Sequence, residues 1–314
     1  MTDASLAPPR KITLDDLRGE SHRMRKEGIV KVVFLAAAVV SIVISALIIF
    51  SLVREAWTFM SKVEWKTLWS EGWFPRRNLF DVKTLFVGTL LTTAVAMVVA
   101  TPLGLGAAVY LSEYANPRVR KVLKPVLEIL AGIPSVVLGF FALTFIAPEI
   151  LQKIFDGTPQ STLLAAGIGV GILTIPLVAA ISEDALRSVP HALREASAGM
   201  GARKVTTTIK VVIPAAISGL VAALIVAISR AIGETMVVFI AAGGSGGSLF
   251  NTDLLEPGTT MTAAMASQAA GSDAVAGAEL AFASLFFVGL LLFVVTFTLN
   301  LIAGGFVHRV RQQY

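Results

Sequence analysis

Cysteine is absent from this chain, which removes disulfide frameworks and thiolate chemistry together, and histidine is confined to His22, His191 and His308. Three scattered imidazoles without a thiol support neither a metal centre nor a Cys-His pair, so no metal and no cofactor is expected. Charge is scarce as well: 15% of the 314 residues are Asp, Glu, Lys or Arg, against 55% hydrophobic. With a mean hydropathy of +0.78, that balance excludes an ordinary soluble domain and indicates a polytopic membrane protein. No H-E-x-x-H, no G-x-S-x-G and no paired membrane aspartates occur, which argues against a membrane hydrolase. No catalytic residue is assigned. The net charge of +5 is better explained by Lys and Arg in the loops of a membrane protein than by a nucleic-acid partner.

What the chain does have is apolar length. Six segments, approximately 32 to 53, 82 to 112, 122 to 147, 161 to 186, 211 to 242 and 279 to 306, can each cross about 30 Å of hydrocarbon as a helix. The expected fold class is all-α integral membrane with six transmembrane helices. An even number puts both termini on one side, and basic residues choose which. The leader 1–31 carries seven, the 113–124 loop four, the 187–210 loop five and the tail 307–314 two. The alternate loops hold five (54–81), one (148–160) and none (243–278). Eighteen against six places both termini and the 187–210 loop in the cytoplasm. No A-x-A-like cleavage site follows the first apolar run (32–53), and a polar leader precedes it, so it is expected to remain as an anchor.

The segments between the spans are short. The leader is expected to be disordered around Pro8 and Pro9 and to become an amphipathic approach to the membrane from Leu14 onward. The external loop 54–81 contains every tryptophan of the chain, Trp57, Trp65, Trp69 and Trp73. A helix would set several of them on one face at headgroup level, either as interfacial anchors or as contacts to an external partner. The run AAGGSGGS at 241–248 lacks a G-K-[ST] ending and follows no strand, so it reads as a flexible turn and no nucleotide site is expected. Pro102, Gly104, Gly106, Pro134, Gly139 and Pro176 interrupt the core spans of 82–306, as lipid permits where neighbouring helices satisfy the freed backbone.

Two places carry chemistry. Between Glu195 and Pro214 the chain is polar, basic and helix-forming although it joins two spans. Pro190 stands where a helix can begin, Ala192, Ala196 and Gly199 recur at helical spacing, and Gly201 permits a turn before a second helix from about Ala202 to Val212. So short a helix must pack on its own bundle or on another subunit; a connector lying on the bilayer surface is the plainer reading. The second place is S-R-A-I-G-E-T-M in the fifth span, where ionised Arg230 and Glu234 each cost about 2.5 to 3.5 kcal/mol to insert. Four residues apart on a helix, they share a face and can pair. The pair is either structural, or Arg230 faces a path and meets an anion with its planar fork while Glu234 holds it. Gly233 between them is expected to let a neighbouring helix approach.

The 195–214 loop resembles the EAA motif of ABC-importer permeases: Glu195, Ala196 and Ser197 stand at the E-A-A triplet, Gly201 six residues after the glutamate, Val211 and Ile213 at the apolar sites and Pro214 at the proline. Ser197 and Ile213 are mild departures. Closer still, the runs at 88–115, 128–143, 181–202 and 230–238 look like the permeases of the high-affinity phosphate importer, and GETM after Arg230 is similar to the PstC type rather than the GETAP of the sister PstA type. The resemblance implies a type I importer fold, with Glu195, Ala196 and Gly201 coupling to an ATPase and Arg230 and Glu234 in the path for inorganic phosphate. It implies a homologous PstA-like permease, two PstB-like ATPase subunits and an external PstS-like phosphate-binding protein as partners. It also implies a bacterial or archaeal cytoplasmic membrane. Glu128, Glu183 and Asp184 match family positions and read equally well as polar caps or inter-helix partners. Another oxyanion (molybdate, sulfate or phosphonate), a PstA-type identity, or an ATP-independent channel or secondary transporter are the alternatives.

Overall fold

The computed structural model describes residues 21–243, 247–271 and 279–310, the side chains at 21–26, 279 and 306–310 excepted. The leader up to residue 20, part of the glycine run and the last residues of the tail lie outside these stretches. The described residues divide into two compact units, one up to Ser51 and the other from Leu52 onward. In the first, helix α1 (Ser21–Lys62) carries the first apolar run, with Phe34 and Ile42 among its many exposed large side chains. Its continuation to Lys62 enters the second unit and replaces the first nine residues of the expected external loop with helix.

The rest of that loop is not the single helix the tryptophan spacing suggested. A one-turn helix (Trp65–Trp69) is followed by strands β1 (Gly72–Phe74) and β2 (Leu79–Phe80), which pair antiparallel with Trp73 opposite Phe80. A third strand, β3 (Ser248–Leu249), joins the other edge of β1 from far along the chain. The tryptophans therefore divide their work. Trp57, Trp65 and Trp69 are exposed, as anchors at a bilayer surface would be, whereas Trp73 is buried against Phe80 at 5.9 Å between rings.

Among the described residues, five helices are long and apolar enough to cross a membrane: Glu27–Lys62, Val82–Tyr114, Ser135–Ile154, Leu163–Arg187 and Leu280–Gly305. A sixth arises if Lys204–Ala215 and Ile217–Ile232, bent by 70°, count as one span. We denote the main elements α2 (Val82–Val109), α3 (Pro117–Ala131), α4 (Ser135–Phe141, continuing in wider turns to Ile154), α5 (Leu163–Arg187), α6 (His191–Gly199), α7 (Lys204–Ala215), α8 (Ile217–Ile232), α9 (Met236–Ala241), α10 (Met261–Ala270) and α11 (Glu279–Val310).

Two expected spans are corrected. The segment 122–147 is not one helix: α3 ends at Ala131 and α4 begins at Ser135, because Pro134 disfavours a helical residue before it and Gly132 ends the preceding turn. α3 buries none of its residues in this chain, and the span is Ser135–Ile154. The segment 211–242 is bent at Ala216 and broken again at Gly233–Thr235. Pro102 and Pro176, by contrast, sit inside continuous helices.

α2 and α5 form the spine. Gly167 and Gly171 on α5 bring the helices so close that an added Cβ would come within 2.7 and 2.8 Å of Val95 and Val99 on α2. Small residues four apart let apolar knobs seat directly on backbone, which is where packing in lipid gains its energy. Within the expected external loop 243–278, helix α10 (Met261–Ala270) also enters this core. Met261, Thr262, Ala263, Ala264 and Gln268 of α10 are buried. Ten residues make about 15 Å of helix, too short to span, which is why hydropathy alone passed over α10.

Candidate functional site

The 187–210 loop folds as the sequence proposed, with one adjustment. α6 ends at Gly199, and Gly201 takes φ +77°, the left-handed conformation that favours glycine. The amide of Ala202 donates to the Ser197 carbonyl (3.2 Å) and that of Gly201 to the Ala198 carbonyl (2.9 Å), the paired pattern that closes a helix C-terminus. The second helix then starts at Lys204 and runs to Ala215, so Pro214 closes it near the 70° bend. The Ser197 and Thr207 hydroxyls, 2.8 Å apart, tie the two helices together. α6 buries no residue: Glu195, Ala196 and Gly201 are exposed, and Met200 is 89% exposed.

What holds so bare a helix in place is Arg194. Its guanidinium donates to Glu113 at the end of span two (2.8 Å) and to the carbonyls of Leu186 (2.9 Å) and Val189 (2.6 Å) at the end of α5. A planar fork that satisfies one carboxylate and two orphan helix-end carbonyls fixes orientation as well as position. Neither Arg194 nor Glu113 was singled out from sequence. An arginine inside the polar motif loop was the available signal, but its partner lies 81 residues away.

Arg230 occupies the last turn of α8, and Glu234 lies beyond the helix end, in the break before α9. They pair at 3.6 Å, the arginine 52% exposed and the glutamate 4%. Thus the two are brought together, although not on one continuous helix. Glu234 is committed elsewhere: its carboxylate accepts from the Val237 amide at the start of α9 (3.5 Å), and its carbonyl accepts from the Thr262 hydroxyl of α10 (2.7 Å). Gly233 does not serve close approach, since an added Cβ would meet only carbonyls of its own helix at 3.6 and 3.7 Å.

Arg230 borders an open-sided cavity of about 310 Å³ lined by α3 and α5, where Lys124, Glu128 and Glu183 supply the other charged side chains beside Leu173 and Pro176. Glu183 is buried and grips Arg120 of α3, through Nε at 3.1 Å and more tightly through Nη2, and Arg187 at 3.7 Å. Asp184, one residue on and facing another way, is exposed. The expectation for these acids thus divides: Glu183 bridges helices, Glu128 lines the cavity and Asp184 does neither. Lys124 was missed, because its relation to Arg230 exists only in the cavity that the two line together with α5.

Five apolar spans and a sixth, bent one, a short exposed helix pinned to the spans and a cavity lined by charged side chains beside a broken span form a combination with known relatives. The family described as binding-protein-dependent transport system inner membrane component matches residues 100–312. The chain belongs to this permease family. Among individual relatives, the phosphate transport system permease protein PstC of Mesorhizobium japonicum is 32% identical over 293 residues, 88% of either chain. The phosphate transport system permease protein PstA 1 of Mycobacterium tuberculosis is 31% identical over 71% of this chain and 70% of its own. In fold, the permease resembles a bacterial ABC transporter involved in the import of the acidic polysaccharide alginate, with TM-score 0.58, 15% identity and coverage of 92% of this chain and all of that one. As an ABC importer permease subunit it is a multi-pass membrane protein, and the all-α type I importer fold expected from sequence is the fold it has.

Proposed function

We propose that this permease forms part of the translocation path for inorganic phosphate in an ATP-driven importer, as a PstC-type subunit. The observation that carries the reading is Arg230: half exposed, facing a cavity of about 310 Å³, and held among the described residues only by an ion pair at 3.6 Å to a glutamate already engaged with backbone. A guanidinium so placed is oriented yet retains donors for a tetrahedral oxyanion. Both PstC and PstA relatives match over most of the chain, so the subunit assignment rests on the GETM sequence after Arg230.

Glu195, Ala196 and Gly201 lie on a surface that the permease leaves uncovered, and we assign it to an ATPase subunit. A homologous permease, a second ATPase subunit and an external phosphate-binding protein complete the assembly in a cytoplasmic membrane. Closure of the ATPases on ATP opens the Arg230 region outward, and hydrolysis returns it inward.

Arg230→Gln is expected to abolish uptake of radiolabelled phosphate in proteoliposomes while the complex still assembles. Misassembly instead identifies Arg230–Glu234 as a structural ion pair. Competition by molybdate, sulfate and phosphonate in the same assay assigns the anion, and uptake that persists without ATP sinks the ATP-driven reading.

A further inference from the structure

Glu183 stands between two cavities. Its carboxylate borders the Arg230 cavity, and the two guanidinium groups that grip it, Arg120 and Arg187, border a second cavity of about 320 Å³ near the motif loop. Arg194, Lys204 and His191 line the second cavity as well, with Glu113 the acid among them. Four permanent cations, Arg120, Arg187, Arg194 and Lys204, thus face two carboxylates, Glu113 and Glu183. Arg194 is spent on Glu113 and on backbone carbonyls. Arg120 is spent on Glu183. Arg187, half exposed and 3.7 Å from the same carboxylate, and Lys204, lying 5.2 Å from the centre of the Tyr114 ring, have no closer acid partner among the described residues. The second cavity is therefore left with excess positive charge that the described residues do not neutralise.

We propose that this second cavity is a binding station for the transported oxyanion, separated from Arg230 by Glu183 acting as a gate. The inference rests on the phosphate reading above and adds a site and a sequence of events to it. An anion leaving Arg230 meets a buried negative charge, which repels it, and beyond that charge the two arginines that Glu183 occupies. It passes when Glu183 yields Arg120 and Arg187 to it, an exchange of one oxyanion for another on the same donors. Glu183 keeps the station weak enough to release its occupant. The same basic residues also suit the phosphate of an anionic lipid headgroup, and the experiment separates the two sources.

Binding of radiolabelled inorganic phosphate is measured on the complete transporter in nanodiscs of phosphatidylcholine. In the Arg230→Gln complex one saturable site is expected to remain. Adding Arg187→Gln or Lys204→Gln, both at exposed positions where folding is not at stake, weakens it about tenfold, and adding Glu183→Gln strengthens it about tenfold by releasing two guanidinium groups. A Glu183 that merely joined helices would not move affinity upward. No residual site in Arg230→Gln, or a site indifferent to Arg187 and Lys204, overturns the second station while Arg230-dependent binding to wild type leaves the phosphate path standing. If wild type neither binds nor transports phosphate, both readings fall. In discs containing phosphatidylglycerol, a lipid retained by wild type in native mass spectrometry and lost in Arg187→Gln assigns the cavity to a headgroup and overturns its place on the path.

Discussion

Gly201 and Gly233 both lie in the stretch that the proposed function uses, yet they are glycines for different reasons. At Gly201 there is open space around a Cβ but the backbone is left-handed, at φ +77°. At Gly233 the backbone is ordinary and the nearest obstruction is 3.6 Å away. Gly201→Ala is expected to cost about 1–2 kcal/mol locally and to reopen the turn that presents Glu195 and Ala196. ATP hydrolysis by the assembled transporter should then continue with less transport per ATP. Gly233→Ala should leave both rates close to wild type, and a large loss there would contradict the contact geometry. The positive φ at Gly201 was legible from its place in the motif loop. The reason for Gly233 was not, because the expected neighbour is absent from that side.

At the scale of the element, the motif helix is anchored to the spans chiefly by one charged side chain. α6 is nine residues long and fully buries no residue, so its stability and direction lean on the contacts of Arg194 with Glu113, Leu186 and Val189, beside the Ser197–Thr207 tie and the partly buried Leu193. Arg194 and Glu113 are 18% and 7% exposed, and breaking a pair this buried costs about 3–5 kcal/mol. Arg194→Ala is expected to raise amide hydrogen exchange across 191–199 and to uncouple ATP hydrolysis from uptake. The double exchange Arg194→Glu with Glu113→Arg should recover part of the coupling, and no recovery would leave the carbonyl contacts as the main tie. The spans show the same dependence on particular residues. Hydropathy located α2, α5 and α11 well because each is one apolar helix. It merged α3 with α4 because apolar side chains at 122–131 count toward a span whether they face lipid or a partner. Pro134 was the mark of the break, and Glu128 and Lys124 one turn apart were the mark of a polar face.

For the whole molecule, the topology is open to a direct test, because the chain contains no cysteine. A single cysteine at Met200, 89% exposed, is expected to react with a membrane-impermeant maleimide from the cytoplasm alone, and one at Trp69, 67% exposed, from the outside alone. Labelling of both from one side would overturn the six-span topology. The β-strand cap belongs to this scale too. β1 and β3 are over 170 residues apart in sequence, yet Gly72 is paired with Leu249. No local pattern announces two- and three-residue strands, so they escaped detection, and with them the burial of Trp73.

Composition, loop charge and motif spacing by themselves determined that this is a helical, multi-pass permease with an exposed loop centred on Gly201 and a charged pair at 230 and 234. Those properties are additive or local: hydropathy sums along a span, and a tight turn depends on the residue within it. Tertiary structure alone decided that Glu234 leaves the helix and turns its carboxylate to the Val237 amide, that α10 enters the core, and that Glu183 stands between two charged cavities. These depend on which helices lie side by side. Arg120 and Glu183 are 63 residues apart, and only the packing of α3 against α5 makes them one group.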